Sequence, residues 1–532
     1  MTSRPAPCSR ASAPSAKNVS QATQPDAKGD LRMHEALPEG VSRALLRLML
    51  QAPESLRFEC KRVSGKMVGK ALETICAMAN TEGGSLLLGM EDLAKAKGSD
   101  RLYGIGENPE AVDELQRKLA THLLPAVEDV KLQRLPCTLR DGTEGALLRV
   151  VIPRSDKVHS ILDGGTWMRG EASNRVMNAT EITELSYRRG VRSAESEPVD
   201  VDFDLLDTDA WRLFRQARGL SGSDLPKQLK SIGLAQQVGA ELKPRRAAVL
   251  LFADEPGALL AASGTRADIR VFHYRGNKIE EGEVPNLKKT PRTISGPLYQ
   301  QIARAHAYLM DELAEGLTLA ASGFRTVHRY PERVIKEAIT NAVIHRDYHL
   351  NRDIRIRIFD NRIEIESPGL FAGRISAATI QRAGSFSRNP LLARNLREFP
   401  DPPNVDAGEG VRMMFSVMQA SKLFPPFYSE QKEQAQEAIM LMLLNEERPP
   451  VWEQVSDWID RHGSIGNADL CRIASLDTLR SSKLLKRWVA QGVLVADPTR
   501  GKRNMVYYKP QQDDIAQDDL LPDGLEDGGD PG

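Results

Sequence analysis

The chain has no uncharged apolar run near the about 18 residues that a membrane span requires. Its five cysteines (Cys8, Cys60, Cys76, Cys137 and Cys471) are scattered and include no CxxC pair. A disulfide framework or zinc site is therefore not expected, and a reducing cytoplasm is the expected location. The opening MTSRPAPCSRASAPSAKNVSQATQP has no apolar core, so it reads as a flexible tail rather than a secretory signal. No internal repeat is visible, and no paired Walker-type motifs that would drive a helicase. The segment Gly65-Lys66-Met67-Val68-Gly69-Lys70-Ala71 is not a P-loop. It is one residue short between its glycines, and Ala71 offers no hydroxyl to magnesium.

Net charge is also lacking: 72 Lys and Arg balance 72 Asp and Glu. The zero hides an asymmetry. From Gln511 onward there are seven Asp, one Glu and no basic residue, so the tail carries −8 and residues 1–510 carry +8. What is present is an ordinary globular composition, 41% hydrophobic and 27% charged over 532 residues, enough for several cores. The pattern predicts a disordered tail (1–39), an α/β region (40–192), a second mixed region (205–430), a compact basic unit (431–510) and an acidic disordered tail (511–532). ESEPVDVDF reads as the linker between the first two folded regions. AAVLLF, DIRVFHY, DIRIRIF and RIEIESP read as strands, the last two joined at Asp360-Asn361 in a hairpin.

Three constellations carry chemistry. In ESLRFECK, a strand over Phe58–Val63 puts Glu59 and Lys61 on one face, with Glu54 at the preceding turn. Asp92, after the strand SLLLGM, brings a third acid to a neighbouring strand end. Such acids can hold hard divalent cations while the lysine steadies a phosphate; the same spacing also suits a solvated charged face. The stretches FECKR, ICAMANTEGGSLLLGMED and GTWMRGEASNRVMNATEI resemble the Schlafen/AlbA-like nucleic-acid-binding domain over about residues 50–190. The resemblance implies Glu54, Glu59 and Asp92 as candidate nuclease acids, with Mg²⁺ or Mn²⁺.

In YPERVIKEAITNAVIHRDYH, Glu337 and Asn341 are one helical turn apart on one face. An amide carbonyl can bind magnesium and a carboxylate can take a proton from attacking water. The His345-Arg346-Asp347 end of the helix fits C-terminal capping. Gly408-Glu409-Gly410 precedes the helix VRMMFSVMQA, and a GxG at a helix start offers N–H groups to phosphates. AAVLLF, ISGPL, IEIESPG, FSRNPLLARNLREF and AGEGVRMM, taken in order with that helix, resemble a divergent GHKL-type ATPase over about residues 205–430. The resemblance implies ATP and Mg²⁺, with Glu337 as base, Asn341 as magnesium ligand, and Gly369, Gly408 and Gly410 around the nucleotide. Ser367 stands where the family's adenine-reading Asp belongs, so binding is expected rather than fast hydrolysis.

From Ser464 to Pro510, nine Lys and Arg face three Asp, net +6, in a helix, turn, helix and β-wing layout. Arg480, Lys483 and Arg487 fall near one helical stripe, and Arg500, Lys502 and Arg503 sit at the wing tip. A winged helix used for protein interaction has the same layout. The expected fold is thus α/β and α+β multidomain: a Schlafen/AlbA-like α/β domain, a GHKL-like α/β sandwich and a winged helix-turn-helix. The expected function is ATP-responsive nucleic-acid binding of regulatory or defence type, with DNA favoured over RNA and no membrane. Homo-oligomerisation is left open. Two alternatives stand beside it: a metal-dependent Schlafen-like endonuclease acting on RNA or DNA, and a weak ATPase scaffold.

Overall fold

The computed structural model describes residues 39–64, 66–280, 285–320, 323–373, 375–384, 387–403, 409–432, 437–497, 500–501 and 504–509. Gly408, Lys502, Arg503 and nearly all of the two expected tails lie outside the described residues.

The N-terminal unit starts with α1 (Glu39–Gln51), whose Leu45 and Met49 are buried. It continues through β1 (Phe58–Lys61), α2 (Met67–Asn80), β2 (Gly84–Leu88), α3 (Pro109–Thr121), β3 (Lys131–Thr138) and β4 (Glu144–Ile152). β5 (Trp167–Arg169), β6 (Asn174–Val176) and α4 (Ala179–Arg188) complete it. The sheet runs β1-β2-β4-β3, parallel only between β1 and β2, which a helical crossover must join. That crossover is α2, buried along most of its length and packed on the sheet through Leu72, Ile75 and Ala79. Gly83 and Gly84 start β2 with positive φ (+73° and +150°) because a Cβ there would strike the backbone of Ile152–Arg154 or Arg57.

The segment expected as a linker is packed rather than loose. Ala194 and Glu195 are buried, and Glu195 accepts from Leu391 N (2.8 Å) and Leu392 N (2.7 Å). After α5 (Asp209–Ala217), AAVLLF is not a strand but the body of α6 (Arg246–Phe252). All seven of its residues are buried, six of them completely, so no polar face existed to betray the helical period.

The central sheet then forms from β7 (Ile269–His273), β8 (Arg292–Ile294), β9 (Ile354–Ile358) and β10 (Arg362–Pro368), with α7 (Leu298–Glu312) and α8 (Glu332–Ile344) between β8 and β9. α9 (Pro390–Leu396), α10 (Gly410–Ala420), β11 (Phe427–Gln431) and β12 (Ala438–Leu444) follow. Its order is β8-β7-β9-β10-β12-β11, parallel only between β7 and β9. The Asp360-Asn361 hairpin is present between β9 and β10. Ile354, Ile356 and Ile358 face the helices, and Arg355 and Arg357 face away.

The sheet runs past residue 430, since β12 is one of its inner strands; the expected boundary at 430–431 moves to about residue 445. Beyond it lie α11 (Trp452–His462), α12 (Asn467–Ala474), α13 (Thr478–Ala490), β13 (Val495–Ala496) and β14 (Val506–Tyr508). This C-terminal unit shares a core with the sheet edge: Phe424, Phe427 and Leu444 pack with Trp452, Leu485 and Trp488. Among the described residues, no helix is long and apolar enough to cross a membrane.

Candidate nucleotide cavity and candidate nucleic-acid interfaces

A cavity of about 640 Å³ opens between α8, α10 and the helix-facing side of the central sheet. Glu337 and Asn341 point into it from α8, joined by an Asn341 Nδ2 hydrogen bond to Glu337 Oε1 of 2.9 Å. That bond uses the Asn341 amide N–H on Glu337, so the Asn341 carbonyl oxygen remains an acceptor for a ligand. Burial raises the Glu337 carboxyl above its ordinary value, only partly opposed by Asn341 and Arg333. Gly410 opens α10 against this carboxylate, and a Cβ there would overlap Glu337 Oε1. Arg333, Lys336 and Arg412 bring positive charge to the same cavity.

The far wall is apolar, built by Ile365, Leu370, Phe371 and Leu441. Ser367 lies in it, and its hydroxyl donates to Ala342 O at 2.9 Å. Its proton is spent on the helix, and only oxygen lone pairs remain for a ligand. Gly369 does not itself line the cavity. It takes φ +103° beside Asp347, where a Cβ would stand 2.7 Å from the Asp347 Cβ.

Sequence reasoning assigned no role to Arg388, which also lines this cavity. Its Nη1 donates to Asp347 Oδ2 (3.0 Å) and to Tyr187 O of the N-terminal unit (2.9 Å), and its Nη2 to Leu370 O. The Tyr187 ring stacks on His349 at 4.0 Å. The segment FSRNPLL was visible as a motif, but partners as far away in sequence as Tyr187 were not.

In the N-terminal unit, Glu59 is buried, and its carboxylate is taken up by Arg169 and Lys61, with Thr74 Oγ1 at 3.4 Å. Arg169 also donates to Asn174 Oδ1 (2.9 Å) and Ser55 O (2.9 Å), which locks β5 and β6 over β1. Desolvation lowers the Lys61 pKa, and Glu54 opposes the shift. Glu54 accepts from Cys60 N at 3.2 Å. Asp92 accepts from Ala94 N at 3.0 Å within its own turn. Burial pushes the Cys60 thiol up to about 12, opposed by Arg101 and reinforced by Glu54 and Asp92. Glu54 and Asp92 thus both act on Cys60, and Glu54 also acts on Lys61 and Arg169, the partners of Glu59. Among the described residues, no three His, Cys, Asp or Glu side chains are grouped to hold a metal ion.

In the C-terminal unit, α13 buries Ser481, Leu485 and Trp488 and exposes Arg480, Lys483, Lys486 and Arg487. Arg480 and Arg487 are 76% and 70% exposed, with only long contacts to Asp477 (3.3 Å) and Glu446 (3.8 Å). Leu479 is 66% exposed at the first turn of α13. Arg500 pairs with Asp497 at 3.1 Å.

Two stretches of the chain match family models. Residues 54–178 match the family model "Schlafen, AlbA_2", and residues 351–439 match "Putative ATP-dependent DNA helicase recG C-terminal". No curated protein matches the chain. Among solved structures, the DIP2311 protein from Corynebacterium diphtheriae is similar at 17% identity, covering 88% of this chain and 97% of that one, with a TM-score of 0.37. The chain therefore carries a Schlafen/AlbA_2-type domain followed by a GHKL-like ATPase domain of the recG C-terminal type.

Proposed function

We propose that this protein binds nucleic acid, with DNA favoured, under the control of ATP bound in the central cavity, in a regulatory or defence role. The observation that carries the reading is Arg388. One guanidinium both walls the cavity holding Glu337 and Asn341 and grips the last turn of the N-terminal unit through Tyr187 O. A ligand that moves this arginine moves a nucleic-acid-binding domain.

ATP and magnesium fit the donor set. The Asn341 carbonyl would be a magnesium ligand, with phosphate oxygens and water filling the remaining positions. Arg333, Lys336 and Arg412 would take the phosphates, and the apolar wall the base. When bound, the metal neutralises phosphate charge. Glu337, raised by burial, holds the carboxylate that would accept a proton from water. Ser367 offers a neutral acceptor in place of a carboxylate, which supports binding over rapid turnover. The α13 stripe (Arg480, Lys483, Arg487) would enter a groove as in a winged helix, with Arg500 on the backbone.

The endonuclease reading draws on Glu54 and Asp92 both lying near Cys60 of β1. Against it stands Glu59, whose oxygens are already engaged by Arg169 and Lys61. Nucleotide titration of the wild type and Asn341→Ala tests the ATP site: tight Mg-ATP binding is expected only in the wild type, and none in either ends the reading. Incubation with labelled tRNA, single-stranded DNA and duplex DNA, with Mn²⁺ and with or without ATP, separates binder from nuclease. Binding without cleavage is expected; cleavage abolished by Glu59→Gln would install the nuclease instead.

A further inference from the structure

The face of the central sheet turned away from α8 and α10 is organised in two rows that cross the strands. The first runs Arg270, Arg355, Glu366, Met440; the second runs Phe272, Arg357, Glu364, Met442, each neighbour paired in register. All of these side chains except Glu366 are partly exposed. Glu366 is buried by the arginines around it: Arg352 and Arg357 bond it directly, and Arg355 stands at 3.8 Å. Five arginines (270, 352, 355, 357 and 362) thus share this surface with two carboxylates, leaving an excess of three positive charges. Arg355 is 43% exposed and Arg270 lies over the Phe272 ring at 5.2 Å. Toward the C-terminal unit the face runs into a groove of about 300 Å³ between Glu364 and Met440 on the sheet and Val489 and Val495.

We propose that this sheet face binds single-stranded nucleic acid, carrying a strand between the N-terminal domain and α13. It extends the nucleic-acid reading above to a third surface and rests on it. Excess arginine selects a polyanion, because charge on exposed guanidinium groups is exchanged for released counterions when phosphates arrive. A flat platform of one aromatic ring, guanidinium planes and methionine thioethers is suited to the faces of unstacked bases, which a duplex hides. An acidic peptide would meet the charge but leave Phe272 and the groove without a use.

The test uses the full chain, a fluorescent dT20 strand, the matching duplex and a polyglutamate peptide. Arg270→Glu/Arg355→Glu is expected to weaken dT20 binding by about tenfold or more, with a salt slope lower by about 1.4 for two lost phosphate contacts. Duplex affinity should stay within about twofold, because α13 is untouched. Ultraviolet crosslinking of the wild type to dT20 should label peptides containing Ile269–His273 or Ile354–Ile358, a readout that stands even where the double variant fails to fold. Unchanged dT20 affinity, crosslinks confined to other peptides, or loss of polyglutamate rather than dT20 binding would each overturn the proposal. A wild type that binds neither strand nor duplex fails the broader reading as well, whereas wild-type binding insensitive to the double variant fails this surface alone.

Discussion

At the scale of single residues, the cavity depends on what is missing as much as on what is present. Among the described glycines, Gly410 is the one where a methyl group would enter the Glu337 carboxylate. Gly410→Ala should keep the helix, since alanine is the better helix former, yet displace Glu337 and Asn341 together. Mg-ATP affinity should fall by about tenfold or more, roughly the 1.4 kcal/mol equivalent of one misplaced contact, with the circular dichroism spectrum retained. Unaltered affinity would place the nucleotide elsewhere. Glu195 carries a pH signature. Burial lifts its carboxyl from an ordinary 4.5 to about 7, with the amides of Leu391 and Leu392 opposing the shift. The folded state therefore keeps a proton that the unfolded chain releases earlier. The added stability is complete below the unfolded value and is lost as pH rises through about 7. Melting temperature should fall between pH 5 and 8 more steeply in the wild type than in Glu195→Gln; equal slopes would contradict the assignment. Glu337 and Asn341 were legible because i,i+4 spacing is local. Glu195 and Arg388 were not, because their partners arrive only when the units fold together.

Among secondary-structure elements, legibility followed amphipathicity. α8, α10 and the β9–β10 hairpin could be read because each has one buried and one exposed face. α6 could not, since a helix buried all round shows the same apolar run as an inner strand. The edge of the central sheet was missed for a related reason. β12 is an apolar run next to the basic unit, and only its pairing with β10 assigns it to the sheet. The contact between α4 and the cavity wall carries the regulatory reading, so it is where an element-level change should be felt. Tyr187→Ala removes the stacking on His349 and the hydroxyl contact with Glu197, but touches no residue lining the cavity with its own side chain. Mg-ATP affinity should stay within about twofold, while the change in DNA affinity that ATP causes should shrink toward none. Such couplings are commonly about 1–3 kcal/mol, within reach of anisotropy titrations with and without nucleotide. A Tyr187→Ala protein that still responds fully to ATP would remove the Tyr187 ring from the path and leave the coupling to the Arg388 bond with the residue-187 carbonyl, which the variant keeps.

For the molecule as a whole, the absent net charge resolves into opposed parts. The segment from Ser464 to Pro510 carries +6, and the residues from Gln511 onward carry −8. The tail lies outside the described residues, so its case rests on composition and on the surfaces it could reach. A segment of that charge, joined in sequence to the basic unit, would compete with phosphate for Arg480, Lys483 and Arg487 at a high effective concentration. These arginines are mostly exposed and only weakly paired, so little must be displaced for either partner to bind. Ending the chain at Pro510 should therefore tighten duplex binding several-fold at low salt. The gain should fade as salt rises, since screening weakens an intramolecular competitor that acts through exposed charge. The comparison also separates two regions of the protein: truncation should leave Mg-ATP affinity alone, because the cavity lies on the helix side of the sheet. Duplex affinity that does not change on truncation at low salt would show that the acidic segment does not guard the basic face.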